Sequence, residues 1–271
     1  MKSDLIADMR DHRRVSAAPF RADSPVSAKS DQQTVIVEMP IAMVYNGIST
    51  AVMMATPNAL EDFGLGFSLS EGIIDSPEQL YDLAIEEVTQ GISIEMTVSS
   101  ACIHRLKQRR RTQTGKTGCG LCGVESLDQA IDEPSPVVPW CPSNTAIQRA
   151  VRGLQDYQPL QQQTGGGHAA AFCSADGDIL LIREDVGRHN ALDKLIGAYS
   201  ATDPSSAGFI LMSSRASYEL VDKTCTAGIS ALVTLSAPTS LAIDHARSAG
   251  LSLIGFARSG RHTCYNLGQS S

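Results

Sequence analysis

Aromatic residues are scarce in this 271-residue chain, at 5% of positions with a single tryptophan. Charged residues are also few, at 19%, and no stretch approaches 18 consecutive apolar residues. That last absence excludes a transmembrane helix. The acids and bases of MKSDLIADMRDHRR stand where a signal peptide would carry its apolar core, so the chain reads as cytoplasmic, with no membrane partner. Bases are outnumbered, 22 Lys and Arg against 29 Asp and Glu, and the net charge of −7 argues against a nucleic-acid partner. Apolar residues still make up 42%, enough for a sizeable core, and the length allows one large domain or two modest ones. Seven cysteines are an odd number in a chain too long to need stapling; they read as free thiols in a reducing compartment.

Residues 1–32 are polar and aperiodic and read as a flexible lead. TVIVEMPIAMVYNGISTAVMMATP reads as strands around an Asn46-Gly47 hairpin turn. A helix follows in NALEDFGLGFSLSEGII with Asn58 as its N-cap, then a strand pair, DLAIEEV and ISIEMTV, joined through Gln90-Gly91. Residues 33–104 thus form a small α+β domain. Residues 105–142 interrupt the pattern with a basic run and a Pro-rich extended linker. From Ser143, a good N-cap, residues 143–267 read as an α/β domain: a helix, a hairpin around Asp176-Gly177, then helices near Val186–Tyr199, Ala216–Gly228 and Ser240–Ala249 alternating with the strands GFILMSS, SALVTLS and LSLIGFA. That rhythm predicts a mostly parallel sheet covered by helices, with one antiparallel hairpin strand.

Six of the 22 bases fall in residues 105–116, so without them the net charge of −7 becomes −13. Cys119 and Cys122 follow at once, flanked by glycines, in Gly118-Cys119-Gly120-Leu121-Cys122-Gly123. Three readings stand. Zinc would need two further ligands, drawn from Cys102, Cys141 and His168 without diagnostic spacing. A thioredoxin-like dithiol would want a βαβ context. A nucleophilic thiol fits the charge: six cations would lower a thiol of ordinary pKa about 8.5 by about one or two units and raise its thiolate share severalfold. Cys173 and Cys225 lie in apolar segments and read as buried small hydrophobes.

Three strands run into Ser213-Ser214-Arg215, Ser236-Ala237-Pro238-Thr239-Ser240 and Arg258-Ser259-Gly260-Arg261. If they are parallel, these ends share the sheet edge where helix N-termini face ligands, and hydroxyls, glycine and arginines there suit a phosphate. Each turn taken alone also reads as helix capping. Asp185 and His189, in the polar junction after DILLI, belong to the same crevice or serve as a cap and a packing histidine; in the crevice, Asp185 would accept hydrogen bonds from a guanine edge.

TGCGLCGVE, REDVGRHNALDK, SSRASYELVDK, SAPTSLA and GFARSGR, in this order, resemble the FdhD family of formate dehydrogenase accessory sulfurtransferases. PIAMVYNGIS and LGFSLSEGII extend the likeness over about residues 35–265. The resemblance implies a sulfurtransferase acting between a cysteine desulfurase and the molybdenum cofactor of formate dehydrogenase. It would take a persulfide on Cys119, with Cys122 as partner, and pass sulfur to bis-molybdopterin guanine dinucleotide before that enters the apoenzyme. The family's cofactor-binding segment falls on Phe256, Ala257, Arg258, Ser259, Gly260 and Arg261, where GDP would serve as a mimic. The resemblance further implies a homodimer and a cytidine-deaminase-like, three-layer C-terminal domain. Zinc deaminases use H-x-E before P-C-x-x-C; here His168-Ala169-Ala170 lacks the glutamate and follows the cysteine pair, which sets deamination aside. The alternative is a non-catalytic chaperone that holds the cofactor and uses the cysteines as a metal clip or contact.

Overall fold

The computed structural model describes residues 11–17, 31–112, 133–202 and 207–268, with the backbone alone at the end of the helix that closes at Thr112. Helices and two larger sheets place the chain in the α/β class. Among the described residues, no helix is long and apolar enough to cross a membrane.

The first sheet has the order β4-β3-β6-β5, built from β3 (Met39–Tyr45), β4 (Ile48–Ala55), β5 (Leu80–Val88) and β6 (Gly91–Val98). Both expected hairpins are present, and β3 and β6 pair in parallel between them. Asn46 and Gly47 have φ of 48° and 78°, the successive positive values that a two-residue hairpin turn demands. The Asn46 side chain also clamps Val98, accepting from its N–H (2.8 Å) and donating to its carbonyl (3.0 Å). Helices α1 (Leu60–Ser70) and α2 (Ser100–Thr112) cover one face, burying Phe63, Phe67, Cys102, Ile103 and Leu106 against Ile41, Met43, Ile92 and Ile94.

Three expectations change here. The helix after Pro57 is capped at Ala59, not Asn58; the Asn58 amide oxygen instead accepts from Lys194 Nζ (2.7 Å). The basic run does not begin outside the domain: α2 carries it to Thr112, because Cys102, Ile103 and Leu106 give that helix a buried stripe. The supposed lead holds β1 (His12–Ala17), which pairs as an antiparallel ribbon with β2 (Asp31–Ile36), a strand that straddles the boundary of the lead.

The second sheet has the order β12-β11-β10-β9-β7-β8. Its strands are β7 (His168–Ser174), β8 (Ile179–Asp185), β9 (Gly208–Met212), β10 (Ala231–Thr234), β11 (Ser252–Arg258) and β12 (Arg261–Leu267). Strands β9, β10 and β11 are parallel neighbours, as expected, and β8 runs with them; β7 and β12 oppose. The structure therefore has two antiparallel strands where the sequence suggested one. β12 is a solvent-facing edge without the apolar alternation that would announce it.

Alternate residues of these strands face opposite cores, as period-2 pleating requires. Phe172, Ile210, Met212, Leu232 and Leu253 pack under α5 (Arg188–Ser200), α6 (Tyr218–Thr226) and α7 (Ser240–Ala249). Cys173, Phe209, Leu211, Val233 and Ile254 face α3 (Asn144–Gly153), which Ser143 caps by accepting from Ala146 N (3.1 Å). A 3-10 turn (Leu154–Tyr157) and the short α4 (Pro159–Thr164) complete that layer. The Pro-rich segment is extended, as expected, and is pinned by Val137 N to Ala249 O (3.0 Å) and by Ser252 Oγ to Trp140 O (2.8 Å).

The two sheets meet through α1 and α5, which touch backbone to backbone. A Cβ at Gly66 would stand 1.7 Å from Asp193 O, and one at Gly197 would stand 2.0 Å from Asp62 O. Two buried ion clusters flank this seam. Lys194 Nζ reaches Asp185 Oδ2 (2.7 Å) and Thr56 O (2.8 Å); Lys223 Nζ reaches Asp193 (2.8 Å), Glu71 (2.7 Å) and Ser70 (2.8 Å). Burial opposes the Lys223 charge, but the Asp193 and Glu71 carboxylates outweigh it and hold the ammonium above its usual range.

Candidate functional site

The C-terminal ends of β9, β10 and β11 lie side by side, tied by backbone hydrogen bonds. Leu235 N donates to Met212 O (3.0 Å), Ser236 N to Ser214 O (3.3 Å) and Phe256 N to Ser236 O (3.1 Å). Just beyond, Ala216 and Pro238 form a parallel bridge. Residues 213–215, 236–240 and 256–261 therefore share one edge. The hairpin of β7 and β8 joins it: His168 pairs with Asp185, and Ser213 Oγ accepts from Ala169 N (2.9 Å).

Helices α5, α6 and α7 all start at this edge. Thr239 caps α7 by accepting from Ala242 N (3.2 Å), whereas Gly187 and Ser217 make no side-chain cap to α5 and α6. His189 Nε2 sits 3.3 Å from Ser217 Oγ and 3.4 Å from Glu219 Oε2. The His189 hydrogen bond is the main cause that holds the Glu219 carboxyl down at about 2. Burial, then the neighbouring Arg188 charge, keep His168 below the usual imidazole value. Arg188 Nε is buried without a hydrogen-bond partner among the described residues.

The turn that closes β11 onto β12 is built for exposure. Phe256 has φ of 50°, a left-handed conformation that is strained for a bulky residue, and leaves 45% of its surface open. Ala257 is buried beneath it, while Arg258, Ser259, Gly260 and Arg261 are exposed. Gln148 of α3 fixes the turn: its Oε1 accepts from Gly260 N (2.6 Å) and its Nε2 donates to Arg261 O (3.3 Å). Nothing in the sequence marked Gln148 for this, since the two residues are far apart in the chain.

Several site expectations need revision. Asp185 is fully buried, and four protein donors saturate it: Thr56 N (2.9 Å), Gly187 N (2.7 Å), Asn190 Nδ2 (2.9 Å) and Lys194 Nζ (2.7 Å). It has no lone pair left for a guanine edge; it is the anchor between the two sheets. Ser214 is buried and donates to Arg215 O (3.0 Å), while Arg215 is exposed. Arg105 is already paired with Asp75 through Nη1 (2.8 Å and 3.1 Å), so one of the six cations is locally neutralised. Cys119 and Cys122 lie outside the described residues. Among the described residues, no three His, Cys, Asp or Glu side chains gather as a metal site, and Cys102 is buried in the small-domain core. Burial raises the Cys173 and Cys225 thiols to about 12, in keeping with a packing role.

The model of the FdhD/NarQ family matches residues 36–270. The chain belongs to this family. Among curated FdhD relatives, the sulfur carrier protein FdhD of Cupriavidus necator is 52% identical over 230 residues, covering 84% of this chain and 80% of the relative. That of Variovorax paradoxus is 49% identical over 243 residues, covering 89% and 87%. Among solved structures, a protein described as a formate dehydrogenase accessory protein from Desulfotalea psychrophila superposes with a TM-score of 0.73 at 23% identity, covering 95% of this chain and 97% of the other. At that identity the superposition speaks for the fold, and the FdhD/NarQ assignment rests on the sequence matches.

Proposed function

We propose that this protein carries persulfide sulfur from a cysteine desulfurase to the bis-molybdopterin guanine dinucleotide of formate dehydrogenase. The names of its relatives support sulfur carriage, and the observation that carries the cargo half is the strand-end array: uncapped helix starts, exposed arginines and the strained Phe256 on one edge. The Cys119 thiolate attacks the outer sulfur of the desulfurase persulfide; that S–S bond breaks, and the donor cysteine leaves as a thiolate. In delivery, the Cys122 thiolate attacks the inner sulfur of the Cys119 persulfide. The outer sulfur departs as sulfide to the metal, and the two electrons it takes come from the dithiol, which becomes a disulfide. A cellular thiol then restores the pair.

The cargo is an anion, and the exposed Arg215, Arg258 and Arg261 on this edge support docking of its phosphates there. The site is read as working in the cytoplasm, in a homodimer, upstream of the formate dehydrogenase apoenzyme. Intact mass after incubation with desulfurase and cysteine tests the first transfer. A reducible gain of about one sulfur, roughly 32 Da, that Cys119→Ala abolishes is the expected result. No gain on the wild type, with active desulfurase, refutes sulfur carriage and leaves a cofactor-holding chaperone.

A further inference from the structure

Among the described residues, Cys102, Cys173 and Cys225 are buried, whereas Cys141 and Cys264 are exposed. Cys141 leads into α3 and Cys264 lies on β12, at opposite ends of the segment that builds the second sheet. Two tethers bring these ends together. On one side of Cys141, the Trp140 carbonyl accepts from Ser252 Oγ (2.8 Å) on β11. On its other side, Asn144 Oδ1 stands 3.0 Å from His262 Nε2 on β12. Cys264 falls between the two anchor points, because β12 pairs Leu267 with Ser252 and Cys264 with Ile254.

The pleat sets both thiols on one side. A shift in the β11–β12 register places Cys264 opposite Ile254, whose side chain faces α3. Trp140 packs against that same core, so its neighbour Cys141 runs along the face that Cys264 shares. Partial burial, and next the Cys141 thiol, hold the Cys264 thiol above its usual range, an influence that requires the two sulfurs to be near. Pro142 keeps the Cys141 backbone extended, while Cys141 Sγ donates to Pro142 O over 3.6 Å, a weak contact that is given up at little cost when the side chain turns. A packing role accounts for buried Cys173 and Cys225; it does not account for two exposed thiols held beside each other.

We propose that Cys141 and Cys264 form a reversible disulfide that fastens the Pro-rich segment to β12, with a small-molecule disulfide as the oxidant. The Cys141 thiolate attacks one sulfur of that disulfide; its S–S bond breaks, one small thiolate leaves, and Cys141 carries a mixed disulfide. The Cys264 thiolate then attacks the Cys141 sulfur and expels the second small thiolate. The two protein thiols lose two electrons, the small disulfide gains them, and the two protons go to the released thiolates. Cys264 acts second because its raised pKa leaves it less thiolate for the first attack. Exposure of both residues makes the bond labile, so excess small thiol reverses it.

The test treats the full chain with glutathione disulfide, blocks the remaining thiols with iodoacetamide and maps the peptides without reduction. The expected product is one linked pair carrying Cys141 and Cys264, about 2 Da lighter than the two free peptides together, in a chain that still migrates as a monomer. Cys264→Ser should stop at glutathione on Cys141, and dithiothreitol should release both products. Two separately blocked thiols overturn the proposal, as does a link from either cysteine to Cys119 or Cys122, or a link between two chains. Hydrogen exchange reads the fastening itself: oxidation should slow residues 137–141 and 261–267 severalfold in the wild type and leave them unchanged in Cys264→Ser. Equal exchange in the oxidised and reduced wild type overturns the claim that the bond ties the segment to β12.

Discussion

Asp185→Ala should be among the most damaging single changes in this chain, although Asp185 touches no solvent. Its carboxylate and the Lys194 ammonium are both 0% exposed and 2.7 Å apart. Burial pulls the lysine below its ordinary value, but all three of its N–H bonds are used, on Asp185, Thr56 O (2.8 Å) and Asn58 Oδ1 (2.7 Å), the set an ammonium makes. Removing the carboxylate strands that cation and leaves Thr56 N, Gly187 N and Asn190 Nδ2 without their acceptor. Breaking a buried pair by losing one partner costs about 3–5 kcal/mol. Lys194→Met should cost less, because three donors still hold the carboxylate. The double variant should recover part of the loss, since no charge is then left unpaired. Urea unfolding followed by circular dichroism checks this: with a slope of about 3 kcal/mol per molar, the Asp185→Ala midpoint falls by roughly 1 M or more. A variant within about 1 kcal/mol of wild type, or a double variant that loses the sum of both, refutes the reasoning.

The Glu219 carboxyl should titrate at about 2 by carbon-detected NMR, and His189→Ala should return it towards the ordinary 4.5. Because the folded value is the lower one, its stabilisation is present above about 4.5 and fades as pH falls towards 2; the group is part-exposed, so the effect is small and shrinks in salt. With their thiols at about 12, Cys173 and Cys225 should resist iodoacetamide at pH 8 until the chain unfolds, while exposed Cys141 labels at once in peptide maps. Phe256→Gly should relieve the left-handed strain and raise stability by about 1 kcal/mol in urea melts, yet weaken GDP binding; a loss of stability would show the strain argument wrong.

Local chemistry made much of this fold legible. Asn46-Gly47 carries its turn in two residues, Gly177, at φ of 86°, helps close the longer loop between β7 and β8, Ser143 caps α3, and α7 spans the Ser240–Ala249 range that its pattern predicts. The strand-end edge was readable because three parallel strands must open the same way. Where the reading failed, a distant partner decided. Asn58 looked like a cap until Lys194 took its amide, and Asp185 looked like a ligand contact until Thr56 and Lys194 surrounded it. β1 carries no apolar alternation, so HRRVSA gave no sign of a strand, while residues 34–36 of its partner β2 already belonged to the run read as strands.

The meeting of Gly66 with Asp193 O and of Gly197 with Asp62 O has an evolutionary reading as well. Each half of the molecule supplies one glycine and one carbonyl to the seam, so neither half keeps a usable surface when joined to a different neighbour. Such a pair is poor material for domain shuffling. Lineages can trim or extend the surface loops freely, but the small sheet and the large one must be inherited together.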